Sequence, residues 1–450
     1  MKYNPISLFE WVEYSVQEGE NVGVVGTILT LPPGVFKLFD EIDPKEIICK
    51  RKNNTLKPNS LAGVVRIGGI SFQFLPKLFK NNYEEHKSII TKNLILMLSY
   101  CDIPFKVSDL SLLDHEELDM LDFYIDIFAN KLNTLLVRNQ HRQYQKKTDY
   151  LKFSKGKLNI HSSVNPTKLH VIPCIFSEFS YDTPLNRLFK YCVMLMMRHV
   201  KRVKTKEHLR QILLILEPVS YKPFTYNESK KLVLDRLSRA FEPFLKFCQI
   251  YLSHSTLSLQ ASHIEFFSLL VPMEKVFEQF IAGVFDKYRK EFFSEKVSVK
   301  TQYNKGNLIS DPEKVDGEGL FQLRPDIFIN HPQTPVIIDT KYKLLNETDN
   351  KAGVIESDAY QMCAYGAKGK VTALMLLYPD TGDKIFRNWE IPYEYTKKGL
   401  LVRTITLSHD LSSIDGWNKF LMELFSYARD LLKYGKKYQI NDPLEMHQIV

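Results

Sequence analysis

Two acidic residues and one lysine in the C-terminal third of the chain have types and spacing suited to metal-ion chemistry. Asp339 and Lys341 follow the apolar run Val336–Ile338, and Asp326 precedes a second apolar run, Ile327–Ile329. The segment between the runs contains two prolines, so the pattern predicts two strands joined by a turn. Adjacent strands of this kind bring the three charged side chains together.

The period of a strand indicates what these side chains could do. Asp339 and Lys341 are predicted to share one face, while the Thr340 side chain faces away and packs inward. Two nearby carboxylates repel each other, and Mg²⁺ relieves that repulsion because it prefers oxygen ligands and retains several waters. The backbone carbonyl of Thr340 offers another oxygen ligand. Lys341 is then placed to orient a water or to stabilise charge on a phosphate. The alternative is an ordinary ion pair at a strand end.

Two flanking helices supply further candidate residues. Apolar residues at helical spacing predict a helix that begins at Pro272 and carries Glu278 on one flank. A second predicted helix, Glu356–Gly366, carries Gln361 and Tyr365 four residues apart and therefore on one face. Strands predicted on either side of the hairpin complete a mixed α/β unit. The alternative for Glu278 is a solvated position on the helix surface.

These residues, in this order and on these elements, resemble the PD-(D/E)XK nuclease superfamily in its RecB-like branch. The phrases RPDIFI, IIDTKYK and DAYQMCAY more closely resemble McrC, the nuclease subunit family of the McrBC modification-dependent restriction systems. Residues 62–79 (AGVVRIGGISFQFLPKLF) are similar to the amino-terminal signature of that family, and residues 153–160 and 177–191 are similar to its middle segments. The resemblance thus covers most of the chain.

The resemblance implies a role for each candidate residue. Asp326 and Asp339 correspond to the ligands of Mg²⁺, for which Mn²⁺ can substitute, and Lys341 corresponds to the catalytic lysine. Glu278 matches the acid of the first superfamily helix and is a further catalytic candidate. The supporting pair near the scissile phosphate corresponds to Gln361 and Tyr365. The implied activity is that of a Mg-dependent endodeoxyribonuclease.

Missing motifs narrow the expected cofactors and partners. Some RecB-like nucleases carry a four-cysteine iron–sulfur cluster, whereas the six cysteines here are scattered without a C-x-x-C pair, so we expect no such cluster. No G-x-x-x-x-G-K-[ST] sequence occurs, so we expect this chain to bind no nucleotide. The resemblance therefore implies a separate AAA+ GTPase motor, a McrB-like hexamer, with double-stranded DNA, methylated or not, as the substrate.

The pattern predicts an α+β multidomain chain in three parts. Residues 1–85 are rich in strand signals, and the resemblance assigns them to docking on the motor; the alternative is a small structural barrel. Residues 86–260 carry mostly helical spacing, which includes an expected helix at Lys230–Leu252. Residues 261–450 form the predicted restriction-endonuclease-like α/β domain with a mixed sheet. The cation-rich segment 138–147 either follows DNA phosphates or forms a solvated helix end.

Composition indicates a cytoplasmic protein. The chain has 450 residues, is 44% hydrophobic and carries a net charge of +8, which favours contact with a polyanion. Unpatterned cysteines suggest reduced thiols, and neither a signal peptide nor an apolar stretch long enough to span a bilayer is evident. We therefore expect no membrane partner.

The expected function is a metal-dependent DNA endonuclease subunit of a GTPase-driven restriction system that also stimulates its partner GTPase. Two alternatives stay open on the sequence. One is a stand-alone RecB-like nuclease in repair or recombination. The other is a regulatory subunit in which the nuclease fold is inactive.

Overall fold

A computed structural model describes residues 4–78, 85–101, 120–159, 171–255, 266–294, 296–304, 306–310, 319–380, 382, 384–394 and 396–438. The strands are β1 (Ile6–Phe9), β2 (Tyr14–Glu18), β3 (Gly23–Val25), β4 (Ile28–Leu31), β5 (Cys49–Lys52), β6 (Thr55–Pro58), β7 (Leu61–Ile67), β8 (Ile70–Leu75), β9 (Gln143–Leu151), β10 (Lys157–Leu158), β11 (Ile172–Ser180), β12 (Phe266–Pro272), β13 (Ser298–Thr301), β14 (Asn307–Ser310), β15 (Gly319–Gln322), β16 (Ile327–Asn330), β17 (Val336–Thr340), β18 (Ala373–Asp380), β19 (Phe386–Pro392) and β20 (Lys397–Thr406). The α-helices are α1 (Val35–Ile42), α2 (Lys87–Leu98), α3 (Met120–Arg138), α4 (Pro184–His199), α5 (Val203–Ile215), α6 (Tyr226–Lys230), α7 (Glu242–Ser255), α8 (Met273–Phe292), α9 (Glu356–Lys368) and α10 (Ile414–Gly435).

The chain divides into two compact units. The first contains residues 1–63, 72–116 and 270–450, and the second contains residues 64–71 and 117–269. Both combine helices with sheets, and mixed parallel and antiparallel pairing recurs, so the predicted α+β class is confirmed. The three-domain boundaries and the restriction-endonuclease-like assignment stay predictions.

The N-terminal part of the first unit is rich in strands. A five-stranded sheet has the order β3-β4-β2-β6-β5, in which only the β2–β4 pair is parallel. Strand β1 pairs in parallel with the end of β8, from Ile6 opposite Phe72 to Phe9 opposite Leu75. These strands place residues 10 and 11, directly after β1, in the same unit as the C-terminal sheet.

The C-terminal part of the first unit contains the predicted hairpin. Its six-stranded mixed sheet has the order β13-β16-β17-β18-β20-β19. Strands β16 and β17 are antiparallel, with Ile327 opposite Ile338, which confirms the hairpin. Every residue of β18 is buried, as expected for a central strand that is parallel to both neighbours.

Helices cover the faces of this sheet. On one face, Met362 and Tyr365 of α9 pack with Leu374 and Leu376 of β18. The alternate residue Ala373 points to the opposite face, where it lies beside Gly435 of α10. The predicted amphipathic helices at Pro272 and in the segment 417–434 are confirmed as α8 and α10. They contact each other through aromatic pairs, with ring centroids 5.3 Å apart for Phe280 and Phe420.

The second unit contains the three-stranded sheet β10-β11-β9 and helices α3 to α7. The Gly68-Gly69 turn in this unit is confirmed, and both glycines have the positive φ angles, 55° and 80°, that a tight hairpin requires. Within the described ranges, no helix is both long and apolar enough to cross a membrane.

Two sequence interpretations of the second unit are wrong. The single helix expected at Lys230–Leu252 is interrupted, because α6 ends at Lys230 and α7 begins only at Glu242. Pro243 explains the second boundary, since proline fits a first helical turn but cannot lie inside a helix. Only Arg138, at the start of the cation-rich segment 138–147, belongs to a helix end. From Gln143 onwards the segment forms the strand β9.

Candidate active site

The β16–β17 hairpin brings the two predicted metal ligands to the same edge of the sheet. Asp326 directly precedes β16, and Asp339 is the fourth residue of β17. Because Ile327 lies opposite Ile338, the antiparallel register continues to Asp326 beside Asp339. Both carboxyl groups are buried, with 9% and 1% of these residues exposed. Buried acids require a partner, and the neighbouring side chains supply several.

Thr340 anchors Asp326. Its backbone N–H and its hydroxyl both donate to Oδ2 of Asp326, at 2.8 and 2.7 Å. The sequence predicts that the Thr340 side chain packs inward. It is indeed buried, and its hydroxyl also contacts the Asp326 carboxylate. In an extended strand the N–H and C=O of one residue point to the same side. The Thr340 carbonyl therefore lies on the edge that faces Asp326, as its predicted role as a ligand requires.

Lys341 occupies the centre of the site. Its Nζ lies 2.7 Å from Oδ2 of Asp339 and donates to Oε1 of Gln361 at 2.8 Å. Burial by itself lowers the pKa of Lys341, but the charges of Asp339 and Asp326 outweigh that effect and raise this pKa above its ordinary value. The lysine therefore carries a positive charge at neutral pH and is held from two elements at once.

Helix α9 extends this contact into a chain of hydrogen bonds. Gln361 and Tyr365 are four residues apart, so both face the sheet, and Nε2 of Gln361 lies 2.8 Å from the Tyr365 hydroxyl. That hydroxyl donates to the backbone carbonyl of Arg324 at 3.1 Å, two residues before Asp326. The predicted supporting pair thus connects the lysine to the segment that carries the first acid.

The carboxyl groups of the site resist ionisation. Burial, followed by the charge of Asp326, raises the pKa of Asp339 to about 7. Burial and the same charge raise the pKa of Glu278 to about 7. Burial also raises the pKa of Asp326, against the opposing effect of the Thr340 hydrogen bonds. A bound cation would favour the charged forms of these buried, adjacent carboxyl groups.

Gln302 is a site residue that the sequence reasoning missed. It donates through Nε2 to Oε1 of Glu278 and, at 3.2 Å, to Oδ1 of Asp326, while its backbone N–H donates to the Asp326 carbonyl at 2.8 Å. Both side-chain neighbours are carboxylates, so the amide must present its nitrogen to them. Gln302 has a positive φ of 49° directly after β13, an uncommon conformation for a residue other than glycine. Nothing in strand periodicity marks such a position.

The donor set fits a hard divalent cation. Apart from the Lys341 ion pair, the buried Oδ2 of Asp339 has no hydrogen-bond partner in the described part of the chain. Two carboxylates and a strand carbonyl are oxygen ligands of the kind that Mg²⁺ prefers. Among the described residues, no three His, Cys, Asp or Glu side chains group around one metal position. Glu278 therefore lies beside the two-carboxylate site, to which the side chain of Gln302 connects it. Its predicted catalytic role stays a prediction.

A second contact missed by the sequence reasoning joins this site to the N-terminal strands. Tyr342, the residue after Lys341, donates from its hydroxyl to Oε1 of Glu10. The same oxygen accepts the backbone N–H of Lys77 at 2.9 Å. Burial raises the pKa of Glu10 to about 8. Residues more than three hundred positions apart therefore meet next to the catalytic candidate.

A cluster of buried carboxyl groups around one lysine, at the edge of a mixed sheet, is the class of site that this geometry defines. The family described as McrBC 5-methylcytosine restriction system component matches residues 56–379. The chain belongs to that family, which confirms at family level the resemblance drawn from the sequence. No curated protein matches the chain.

Solved structures also match the chain. One is a half-complex from a tetradecameric assembly of Thermococcus gammatolerans McrB AAA+ hexamers with bound McrC: the matched chain is 17% identical, the TM-score is 0.59, and the match covers 94% of this chain and 100% of that one. The other is the cryo-EM structure of the Thermococcus gammatolerans McrBC complex, at 20% identity and a TM-score of 0.49, covering 64% of this chain and 88% of that one. The first match shows that the fold is shared along nearly the whole chain.

Proposed function

We propose that this chain is a Mg²⁺-dependent endodeoxyribonuclease, the McrC-type subunit of a restriction system whose motor is a McrB-like AAA+ GTPase hexamer. The observation that supports it best is the position of Lys341, held between Asp339 and Gln361 beside the buried acid Asp326. Membership of the restriction-system family supports the choice of DNA as substrate. The reaction is hydrolysis of a DNA phosphodiester.

Each residue of the site has a distinct part in this proposal. Asp326, Asp339 and the carbonyl of Thr340 hold the metal. When bound, the metal supplies Lewis-acid chemistry, since it polarises a phosphoryl oxygen and lowers the pKa of water. Lys341 places its ammonium against the negative charge that develops on the scissile phosphate. Because that ammonium is already positioned by Gln361, little reorganisation is needed when the charge develops.

Glu278 and Tyr365 act around this centre. The Tyr365 hydroxyl fixes the orientation of the Gln361 amide, which in turn fixes the lysine. Glu278 lies on the other side of Asp326, bridged to it by Gln302. With a pKa of about 7, Glu278 exchanges a proton near neutral pH and is suited to general acid–base chemistry at the edge of the site.

The partner in this proposal follows from the shared fold. In the solved assembly, McrC is bound to McrB AAA+ hexamers. In this proposal the chain cleaves DNA and stimulates GTP hydrolysis in its partner. The partner motor translocates on DNA.

The decisive assay is cleavage of methylated and unmethylated plasmid by the full chain, with and without Mg²⁺, in the presence and absence of the neighbouring gene's product plus GTP. Metal-dependent cleavage that requires the partner and GTP is expected. Robust cleavage by the isolated chain would instead favour a stand-alone nuclease. No cleavage under any condition, combined with stimulation of the GTPase, would identify a regulatory subunit.

A further inference from the structure

A groove in the first unit lies along the N-terminal strands and reaches the segment that follows Lys341. Two hollows, of about 480 and 530 Å³, share Trp11, Lys57 and Ser60 on their walls. The first continues past Lys50, and the second reaches Tyr342, Lys343 and the start of α8. The shared residues show that the two hollows are adjacent. Together we call them the Trp11 groove and define it by Trp11, Lys50, Lys57, Ser60, Glu274 and Lys343.

Trp11 is held rigidly in the wall of this groove. Its φ of 61° lies in the left-handed region, where a bulky side chain is a genuine outlier. Its backbone N–H donates to the Pro58 carbonyl at 3.1 Å, and its indole N–H donates to the Ser60 hydroxyl at 3.1 Å. Its ring lies 5.6 Å from that of Tyr342. Strained residues persist where the surroundings fix them, and they concentrate at binding sites.

The groove lies close to the candidate active site, both along the chain and along α8. Tyr342 directly follows Lys341, so the wall of the groove and the catalytic candidate belong to one continuous segment. On α8, Glu274 is one helical turn before Glu278, and side chains four residues apart are neighbours on a helix surface. The groove wall is therefore one residue from Lys341 along the chain and one helical turn from Glu278 along α8.

The charge of the groove favours an anionic polymer with flat groups. It carries three lysines, Lys50, Lys57 and Lys343, against one acid, Glu274. Lys343 is held 3.0 Å from Asp358, which balances its charge, so the positive charge of the groove rests mainly on Lys50 and Lys57. Lysines that neutralise phosphates, combined with an aromatic ring that stacks on bases, are the usual components of a track for a single nucleic-acid strand.

We infer that the Trp11 groove binds the DNA strand that flanks the scissile phosphate. Lys50 and Lys57 contact successive phosphates, and Trp11 packs against a base or sugar between the two hollows. This inference rests on the proposed nuclease function and deepens it, because it gives the N-terminal strands a direct part in holding the substrate.

The first test measures the affinity of the full chain for a labelled short duplex and for the matching single strand by fluorescence anisotropy, in EDTA and at several salt concentrations. Replacing one phosphate-contacting lysine lowers the slope of log affinity against log salt by about 0.9. Lys57→Ala and Lys50→Ala are expected to show that loss. Lys419→Ala, at an exposed lysine on α10, is the matched control and should leave the slope unchanged.

The second test addresses the aromatic ring. DNA should change the tryptophan fluorescence of the wild-type chain and of Trp389→Phe, while Trp11→Phe should lose that change. Trp11→Ala should weaken binding about fivefold or more, as expected when one base–aromatic contact is lost. Circular dichroism and melting curves of each variant establish that the fold is intact, and the Lys57 slope provides an independent readout if Trp11→Ala does not fold.

The outcomes separate this inference from the proposed function. Unchanged salt slopes in both lysine variants, or no DNA binding by the full chain, would overturn the groove assignment. Loss of partner-protein binding in these variants with unchanged DNA binding would also overturn it, and would assign the groove to a protein. Because the assays need neither metal nor cleavage, a chain that binds DNA through the groove but never cuts it would contradict only the nuclease proposal.

Discussion

Lys341 donates a hydrogen bond to Gln361 across 2.8 Å, from the end of β17 to the face of α9. The bond matters because the second partner of the lysine, Asp339, has a raised pKa and changes its charge near neutral pH. An ion pair alone would hold the ammonium less firmly when Asp339 is protonated. The neutral amide of Gln361 keeps the ammonium in place throughout that range.

Replacing Lys341 should abolish cleavage. We expect Lys341→Ala to lower kcat by at least about 10²-fold, the usual loss when one preorganised donor to a developing charge is removed. Plasmid cleavage under saturating Mg²⁺ measures this, with partner binding as a check of the fold. Lys351→Ala is the matched control, because that lysine is exposed and pairs with Glu356 away from the site. Normal cleavage by Lys341→Ala would remove the lysine from the mechanism.

Replacing Tyr365 should produce a smaller defect of the same kind. Tyr365→Phe keeps the buried ring and removes the hydroxyl that connects Gln361 to the Arg324 carbonyl. We expect kcat to fall about tenfold, since misplacement of a catalytic group weakens the transition state more than the ground state. Tyr360→Phe, at an exposed position on the same helix, should have no effect. An equal loss in both variants would indicate a general effect on α9.

A substitution at Gln302 should change metal binding without lowering stability. Glycine adopts positive φ freely, so Gln302→Gly should not lower the melting temperature, although the bridge between Glu278 and Asp326 disappears. We expect Mn²⁺ affinity, measured by calorimetry, to fall about tenfold, as is typical when an outer-shell partner of a ligand is removed. Asn53→Gly releases a similar backbone at a distant turn and should leave Mn²⁺ affinity unchanged. Unaltered metal binding in Gln302→Gly would show that the bridge is only structural.

The predictable part of the candidate site is the part that local periodicity encodes. Alternation along β17 and the spacing of four on α9 suffice to place Asp339, Lys341, Gln361 and Tyr365 on matching faces. Gln302 could not be found in this way, because a non-glycine residue with positive φ interrupts the alternation from which a strand is predicted. Its part in the site is visible only in the contacts that it makes in the folded chain.

Long-range contacts could not be predicted from the sequence either. Glu10 lies directly after β1, which pairs with β8, and meets Tyr342 in the segment after Lys341; no local pattern specifies either contact. The break in the helix expected at 230–252 was, by contrast, foreseeable. Pro243 is visible in the sequence, and its restriction on the preceding turn argues for a helix start there.

Glu10 should make stability depend on pH. Its pKa is raised from 4.5 to about 8, so its stabilising contribution is complete below pH 4.5 and is lost as the pH rises towards 8. Each pKa unit corresponds to about 1.4 kcal/mol, so the loss at pH 8 amounts to at most about 4 kcal/mol. Urea unfolding of wild type and Glu10→Gln between pH 5 and 8 measures it. The wild type should lose stability relative to the variant, whereas Glu13→Gln, at an exposed position, should follow the wild type. Parallel curves for wild type and Glu10→Gln would contradict the assignment.

The most direct test of the account is anomalous diffraction from crystals of the full chain soaked in Mn²⁺. The expected result is an anomalous peak bound by the carboxylates of Asp326 and Asp339 and the carbonyl of Thr340, with no peak at that position in Asp339→Asn. An ordered site without manganese, with Lys341 still paired to Asp339, would contradict the claim that these residues form the metal centre of a nuclease.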